Sequence, residues 1–182
     1  LVGSEMCIRD SPDSVNSIGN MTFFGCAIKN INIPNSVTII KRGAFWSCPS
    51  LTSINIPESV TSIDSIVLNE CNNLKCVIIN NPDCEIFDTE STISETATIY
   101  GYENSTAQAY AERYCRRFVS IEDIGDISGS GEIDLYDAIE ISKAIMGLRT
   151  FTDEEMLIAD FNMDGTVDLY DAIEIARTLL PK

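Results

Sequence analysis

The octapeptide DLYDAIEI at Asp134–Ile141 recurs unchanged at Asp168–Ile175, 34 residues further along the chain. Each copy closes a longer acidic stretch. Gly125–Ile141 reads GDISGSGEIDLYDAIEI and Ala159–Ile175 reads ADFNMDGTVDLYDAIEI. In the second, Asp160, Asn162, Asp164, Asp168 and Asp171 fall at positions 1, 3, 5, 9 and 12 of a loop. Gly165 stands at position 6, where such a loop must turn sharply, and Thr166 at position 7 offers its backbone carbonyl. Ca2+ takes about six to eight oxygen ligands, and this spacing wraps them round one ion. Without the ion the loop's four carboxylates repel one another, so folding is expected to depend on the cation.

The first copy is a poorer version of the same loop. Asp126, Asp134 and Asp137 take positions 1, 9 and 12, and Gly131 takes position 6. Positions 3 and 5 are Ser128 and Ser130, whose neutral hydroxyls are weaker donors, and Glu132 at position 7 contributes only its carbonyl. The pattern predicts two Ca2+ sites, the first weaker than the second.

A helix is expected to leave each loop, over Asp137–Met146 and Asp171–Leu180, with Ile139, Ile141, Ile145, Ile173, Ile175 and Leu179 turned inward. Val119–Gly125 is too short and Gly-rich for a helix entering the first loop. Between the copies, Thr152-Asp153-Glu154-Glu155 has the form of a capping box opening a connecting helix to Ala159.

This plan of loop-helix, linker and loop-helix over residues 125–182 resembles the type I dockerins. The resemblance implies an all-α module whose partner is the cohesin domain of a scaffoldin. It places the recognition side chains at loop positions 10 and 11 and further along each helix. Here these are Leu135, Tyr136 and Lys143 in the first copy, and Leu169, Tyr170 and Arg177 in the second. The tyrosines suit an interface, having an apolar body and a polar tip. Leu135 and Leu169 fit core and interface equally. Because both copies carry the same set, the partner is expected to bind in two orientations related by a half-turn. An EF-hand calcium sensor is the alternative, opposed by the missing entering helices and by Asp at position 12.

Upstream the pattern is different. Ile33–Cys48 reads IPNSVTIIKRGAFWSC and Ile56–Cys71 reads IPESVTSIDSIVLNEC, a step of 23 residues. Ser11–Cys26 (SPDSVNSIGNMTFFGC) is the same unit, one residue shorter after Cys26. Short alternating pieces such as Ile54-Asn55-Ile56 suit strands, and Pro34 and Pro57 end them, since Pro cannot donate to a ladder. One such coil cannot bury its apolar face alone, so the period predicts a solenoid. Residues at equivalent places then form columns, such as Cys26, Cys48 and Cys71. The unit resembles the BspA-type leucine-rich repeat over residues 11–79, with Phe24, Phe45, Cys48, Leu51 and Ile54 at core positions and Val67-Leu68 replacing Ala-Phe in the third copy. Residues 80–118 resemble the closing segment of such an array. They hold a strand at Thr98–Tyr102 and a helix from Ser105 or Thr106 to Arg117, with Ala107, Tyr110, Ala111 and Tyr114 on one face.

The fold class expected is thus a leucine-rich-repeat solenoid of short strands and loops with a small capping helix, followed by an all-α dockerin. The segments are 1–10, an artefactual lead resembling translated adapter sequence; 11–118, repeats and cap; 119–124, linker; and 125–182, dockerin.

Charge and composition narrow the function. The chain has 28 acidic and 12 basic residues among 182, and residues 123–182 alone carry a net charge of −10. That repels nucleic acid and anionic membranes. The absence of His removes Ser-His-Asp and Cys-His catalysis. Seven Cys without a CxxC give no basis for a zinc ribbon or redox motif. Cys26, Cys48 and Cys71 are expected to be small core residues. The solenoid carboxylates lack the paired arrangement that glycoside hydrolysis needs. The resemblance to the dockerins implies a non-catalytic, secreted or surface-attached component, docked through Ca2+ and cohesin on an extracellular polysaccharide-degrading complex (a cellulosome). The repeats would contact a protein or surface ligand. The alternative is part of a dockerin-bearing glycoside hydrolase whose catalytic domain lies elsewhere.

Overall fold

The computed structural model describes residues 15–162 and 166–180. The lead segment 1–10 and Cys7 lie outside them. The chain divides into two compact units, Leu1–Phe118 and Val119–Lys182.

In chain order the first unit holds β1 (Ser17–Ile18), β2 (Ile39–Ile40), β3 (Ser53–Ile56), β4 (Ser62–Ile63), β5 (Cys76–Ile79), β6 (Glu85–Ile86), β7 (Thr98–Gly101) and helix α1 (Thr106–Arg113). The unit boundary falls within β8 (Phe118–Ser120). Two sheets form, in the orders β1-β2-β4-β6 and β3-β5-β7-β8, with β1 to β7 paired in parallel. Each coil feeds one short strand into each ladder, and register advances by one repeat: Ile54 faces Val77, which faces Ile99. The alternation in β3 puts Ile54 and Ile56 inside and Asn55 outside. β3 stops at Ile56 because Pro57 has no N–H to continue the ladder. The coil therefore continues through β6 and β7, past the point where the 23-residue pattern fades in the sequence.

The core is a set of columns shared between coils, including Ile40 and Ile63, Phe45 and Leu68, and Leu51 and Leu74, all essentially inaccessible. Burying each such side chain is worth about 1.5–3 kcal/mol, but only when the next coil covers it. The bends are tied from coil to coil as well. Phe23 N–H donates to Ala44 O at 2.8 Å and Phe45 N–H to Val67 O at 3.0 Å. This winding needs left-handed backbone at fixed places. Met21, Gly43 and Ile66 form one such column, with φ of 53°, 62° and 53°, and Gly25, Ser47 and Glu70 another, with φ of 67°, 55° and 57°.

Two expectations are corrected here. Phe24 is 50% exposed; the core aromatic of the first coil is Phe23, which stacks on Phe45 with ring centroids 5.3 Å apart. The one-residue shortening follows Cys26, so Phe23 rather than Phe24 aligns with Phe45, and Phe24 aligns with Trp46. The capping helix ends at Arg113, not Arg117, because Cys115 turns left-handed at φ 51°. The Arg117 carbonyl then accepts Ile99 N–H at 2.9 Å. At the other end Ser105 is the cap, accepting Gln108 N–H at 3.2 Å.

Cys48 and Cys71 lie in the core, and each thiol donates to a carbonyl of the preceding coil, Phe23 O and Phe45 O, at 3.1 Å. Cys26 is only partly buried. The adjacent Cys71 sulfur, together with burial, pushes the Cys48 thiol far above its usual value. Burial, with Glu85 beside it, pushes Cys84 up to about 12.

The second unit has α2 (Leu135–Ile145), α3 (Asp153–Ala159) and α4 (Leu169–Thr178). Thr152 and Glu155 form the expected capping box of α3. The helices leaving the loops begin two residues before the expected Asp137 and Asp171, since Asp134 and Asp168 act as their caps. The inward stripe is narrower than expected. Ala138, Ile141, Ala172 and Ile175 are buried together with Ile127 and Ala159. Ile139, Ile145 and Leu179 are exposed by 40%, 45% and 42%, and Ile173 is half-buried. The alanines let α2 and α4 approach closely, which leaves little room for further large side chains. Among the described residues no helix is long and apolar enough to cross a membrane.

Two outcomes are expected. Glu70→Gly removes a left-handed strain of about 1–2 kcal/mol against a glycine entropy loss of about 0.5–1 kcal/mol. Chemical denaturation should therefore show a net gain of the order of 1 kcal/mol. Peptide mapping after thiol alkylation at pH 8 should label the exposed Cys115 in native protein, while Cys48, Cys71 and Cys84 react only after unfolding.

Candidate metal centre and docking helices

Each loop of the second unit is drawn together by its last carboxylate. Asp137 is fully buried; its Oδ1 accepts Ser128 N–H at 2.9 Å and its Oδ2 accepts Asp134 N–H at 2.8 Å. Asp171 repeats this, accepting Asn162 N–H at 3.1 Å and Asp168 N–H at 2.8 Å. The carboxylate thus joins loop position 3 to position 9, and it does so from N3 of the helix, where the dipole favours negative charge. Asp134 and Asp168 accept Tyr136 N–H and Tyr170 N–H, both at 2.7 Å.

The start of the first loop is equally ordered. Asp126 Oδ1 accepts Ser130 N–H at 3.0 Å and the Ser128 hydroxyl at 3.1 Å, and its Oδ2 accepts Gly131 N–H at 2.6 Å. Burial pushes this carboxyl up, but the N–H groups of Gly131 and Ser130 outweigh that and hold it below the usual range. Gly131 has φ 84°, the left-handed turn its loop position demands. The Ser130 hydroxyl donates to Glu132 O at 2.9 Å, and the Glu132 side chain is exposed. In the second loop Asp160 is buried and Thr166 exposed; Asp164 and Gly165 lie outside the described residues.

Among the described residues no group of three or more acids or thiols is gathered closely enough to hold a metal. Asp126 and Asp137 turn instead to loop N–H groups. The donor set nevertheless suits a hard cation. It consists of oxygens only, and a carboxylate has about four lone-pair sites, of which Asp137 uses two on the backbone.

The helices carry an exposed pair at the same place in each copy. Leu135 and Tyr136 are 60% and 70% exposed, and Leu169 and Tyr170 are 56% and 68%. The two leucines are therefore outside the core. One helix turn and more beyond, Lys143 pairs with Glu140 and Arg177 with Glu174, each at 2.6 Å. The first helix has a further tie: Arg149 bridges Glu140 of α2 and Glu155 of α3 and lies 5.0 Å from the Phe151 ring centroid.

Two positions escaped the sequence reading. Gly125 has φ 96°, and a Cβ there would meet the Phe161 ring at 2.7 Å. Gly125 N–H also donates to Ile158 O at 2.9 Å. The start of loop one is thus packed on loop two through an aromatic ring. Phe161 at loop position 2 was the visible signal, since Ile127 stands on the corresponding side of the first loop and both join the same core.

A stacked coil of short parallel strands and a duplicated loop-helix unit define a repeat protein with an appended docking module. The chain matches the family model of the BspA type leucine rich repeat region over residues 8–101, in six copies, and that of the dockerin type I domain over residues 124–180. It belongs to the BspA-type leucine-rich repeat family and carries a type I dockerin after the repeats. Neither matched family is catalytic, and a type I dockerin implies calcium and a cohesin partner. No curated protein and no solved structure matches the chain.

Gly125→Ala should lower the stability of the second unit by at least about 2 kcal/mol, combining left-handed strain and overpacking against Phe161. Amide hydrogen exchange checks this: α2 and α4 should exchange faster while β3 and β5 keep their rates.

Proposed function

We propose that residues 125–182 bind two calcium ions and dock this chain, as a non-catalytic component, onto a cohesin of an extracellular polysaccharide-degrading complex. Residues 119–124 serve as the linker to the repeats, which contact a protein or surface ligand. The second ion would be held by Asp160, Asn162, Asp164, Thr166, Asp168 and Asp171. The first, held by Asp126, Ser128, Ser130, Glu132, Asp134 and Asp137, would bind more weakly because two hydroxyls replace an amide and a carboxylate. Calcium would supply the charge that neutralises each acidic loop and lets it close. Leu135, Tyr136 and Lys143, or Leu169, Tyr170 and Arg177, would meet the cohesin.

The observation that carries this reading is the agreement between the copies. Both have a buried position-12 Asp joining positions 3 and 9, both are capped by the position-9 Asp, and both project the next two side chains, Leu and Tyr, into solvent. Large exposed side chains beside a basic residue, repeated in equivalent surroundings, suit a partner that can accept either copy.

Calorimetric titration of the full chain with a panel of cohesins tests it. Binding should occur in calcium and vanish in EDTA, with loss of helicity. Tyr136→Ala or Tyr170→Ala alone should weaken binding by less than tenfold. The double variant should weaken it by about thirtyfold or more. Undiminished binding in EDTA would refute the calcium dependence, and abolition by Tyr136→Ala alone would refute the two orientations.

A further inference from the structure

The repeats carry an open groove of about 690 Å3, lined mainly by the polar Asn32, Asn35, Asn55, Glu58 and Asn80 and by Tyr102, with Ile33, Pro57 and Ser59 between them. Its members come from successive coils. Asn32 and Asn55 are bridge partners, and Asn80 Nδ2 donates to Asn55 Oδ1 at 2.5 Å and to Ile56 O at 2.9 Å. Extending the pairing of Ile78 with Tyr100 by two residues places Tyr102, just past β7, beside Asn80. The result is a column of amides on adjacent coils, ending at a tyrosine that is 36% exposed.

Much of this polar surface is unused by the protein. Asn80 spends its amide hydrogens on the column, which leaves its Oδ1 as an acceptor, and Asn55 keeps its Nδ2 as a donor. Among the described residues, the side chains of Asn32, Asn35, Glu58 and Tyr102 have no protein hydrogen-bond or ion-pair partner.

The lining excludes several ligand classes. Among the described residues no Lys or Arg lines the groove, so they offer nothing to a phosphate, sulfate or carboxylate. Glu58 is the single acid among them, too little for a cation. The walls are polar, unlike the mostly apolar pockets that take drug-like molecules. What remains is a neutral ligand rich in hydroxyls. Each hydroxyl both donates and accepts; Asn80 offers it an acceptor, Asn55 a donor, and Asn32 and Asn35 both. Neighbouring coils are about 4.8 Å apart, so successive rings of an extended chain could each meet an amide. The Tyr102 ring supplies an apolar face with a polar tip for the C–H side of a ring.

We propose that this groove is a binding site for a neutral oligosaccharide, running across the coils and stacking on Tyr102. The site lies wholly within the repeats and needs neither calcium nor cohesin, so its failure would leave the docking reading untouched.

The test titrates the full chain in calcium with neutral glucan, mannan and xylan hexaoses, and with hexagalacturonate, following the Asn side-chain NH2 resonances by NMR and the heat by calorimetry. At least one neutral hexaose should bind saturably, with Kd in the range of about 10 μM to 1 mM, and shift the Asn32, Asn55 and Asn80 amides. Asn55→Ala and Tyr102→Ala, both at exposed positions, should each weaken binding at least tenfold with unchanged thermal unfolding. EDTA should leave binding in place. Absence of saturable binding by every neutral hexaose would overturn the proposal. So would undiminished affinity in both variants, or a response confined to the polyuronate.

Discussion

A buried carboxylate at the twelfth position organises each half of the C-terminal unit. Asp137 and Asp171 are inaccessible to solvent, and an ionised group taken out of water costs several kcal/mol unless it is matched. Each is matched by two loop N–H groups and by the start of its own helix. The same contacts that make burial tolerable fold the loop back on the helix. That closure sets the helix start and so decides that the next two residues, Leu and Tyr, face outward. An apolar residue at this position could be buried, but it could not hold positions 3 and 9 together.

The repeats obey the opposite logic. No single residue organises them; order comes from repetition. Each coil supplies half of every core column and half of every backbone ladder, and it becomes stable when the next coil completes both. The left-handed positions at each bend are the local strain that this winding accepts, most clearly at the β-branched Ile66. The thiols of Cys48 and Cys71 fit the same scheme, filling the core while donating to a carbonyl one coil back.

The two units therefore suit different kinds of recognition. The repeats build a long surface on which identical side chains recur at strand spacing, as the Asn column does. The helical unit presents two compact, equivalent patches. Among the described residues, the helix of the first is tied to the connecting helix through Arg149, Glu140 and Glu155.

The sequence by itself determined whatever depends on period and spacing. The 23-residue step and the 34-residue duplication specified a solenoid and a paired loop-helix unit, because backbone ladders and loop closure act at fixed separations along the chain. The expected ligand positions of both loops were read from the same fixed spacing. The tertiary structure alone decided which side chains are covered. Phe23 rather than Phe24 enters the core, and Ile139, Ile145 and Leu179 stay at the surface, because burial depends on how closely neighbouring elements approach. The fit of Gly125 under Phe161 and the shared groove of Asn80 and Tyr102 likewise join residues far apart in sequence, whose proximity arises only once the chain has packed.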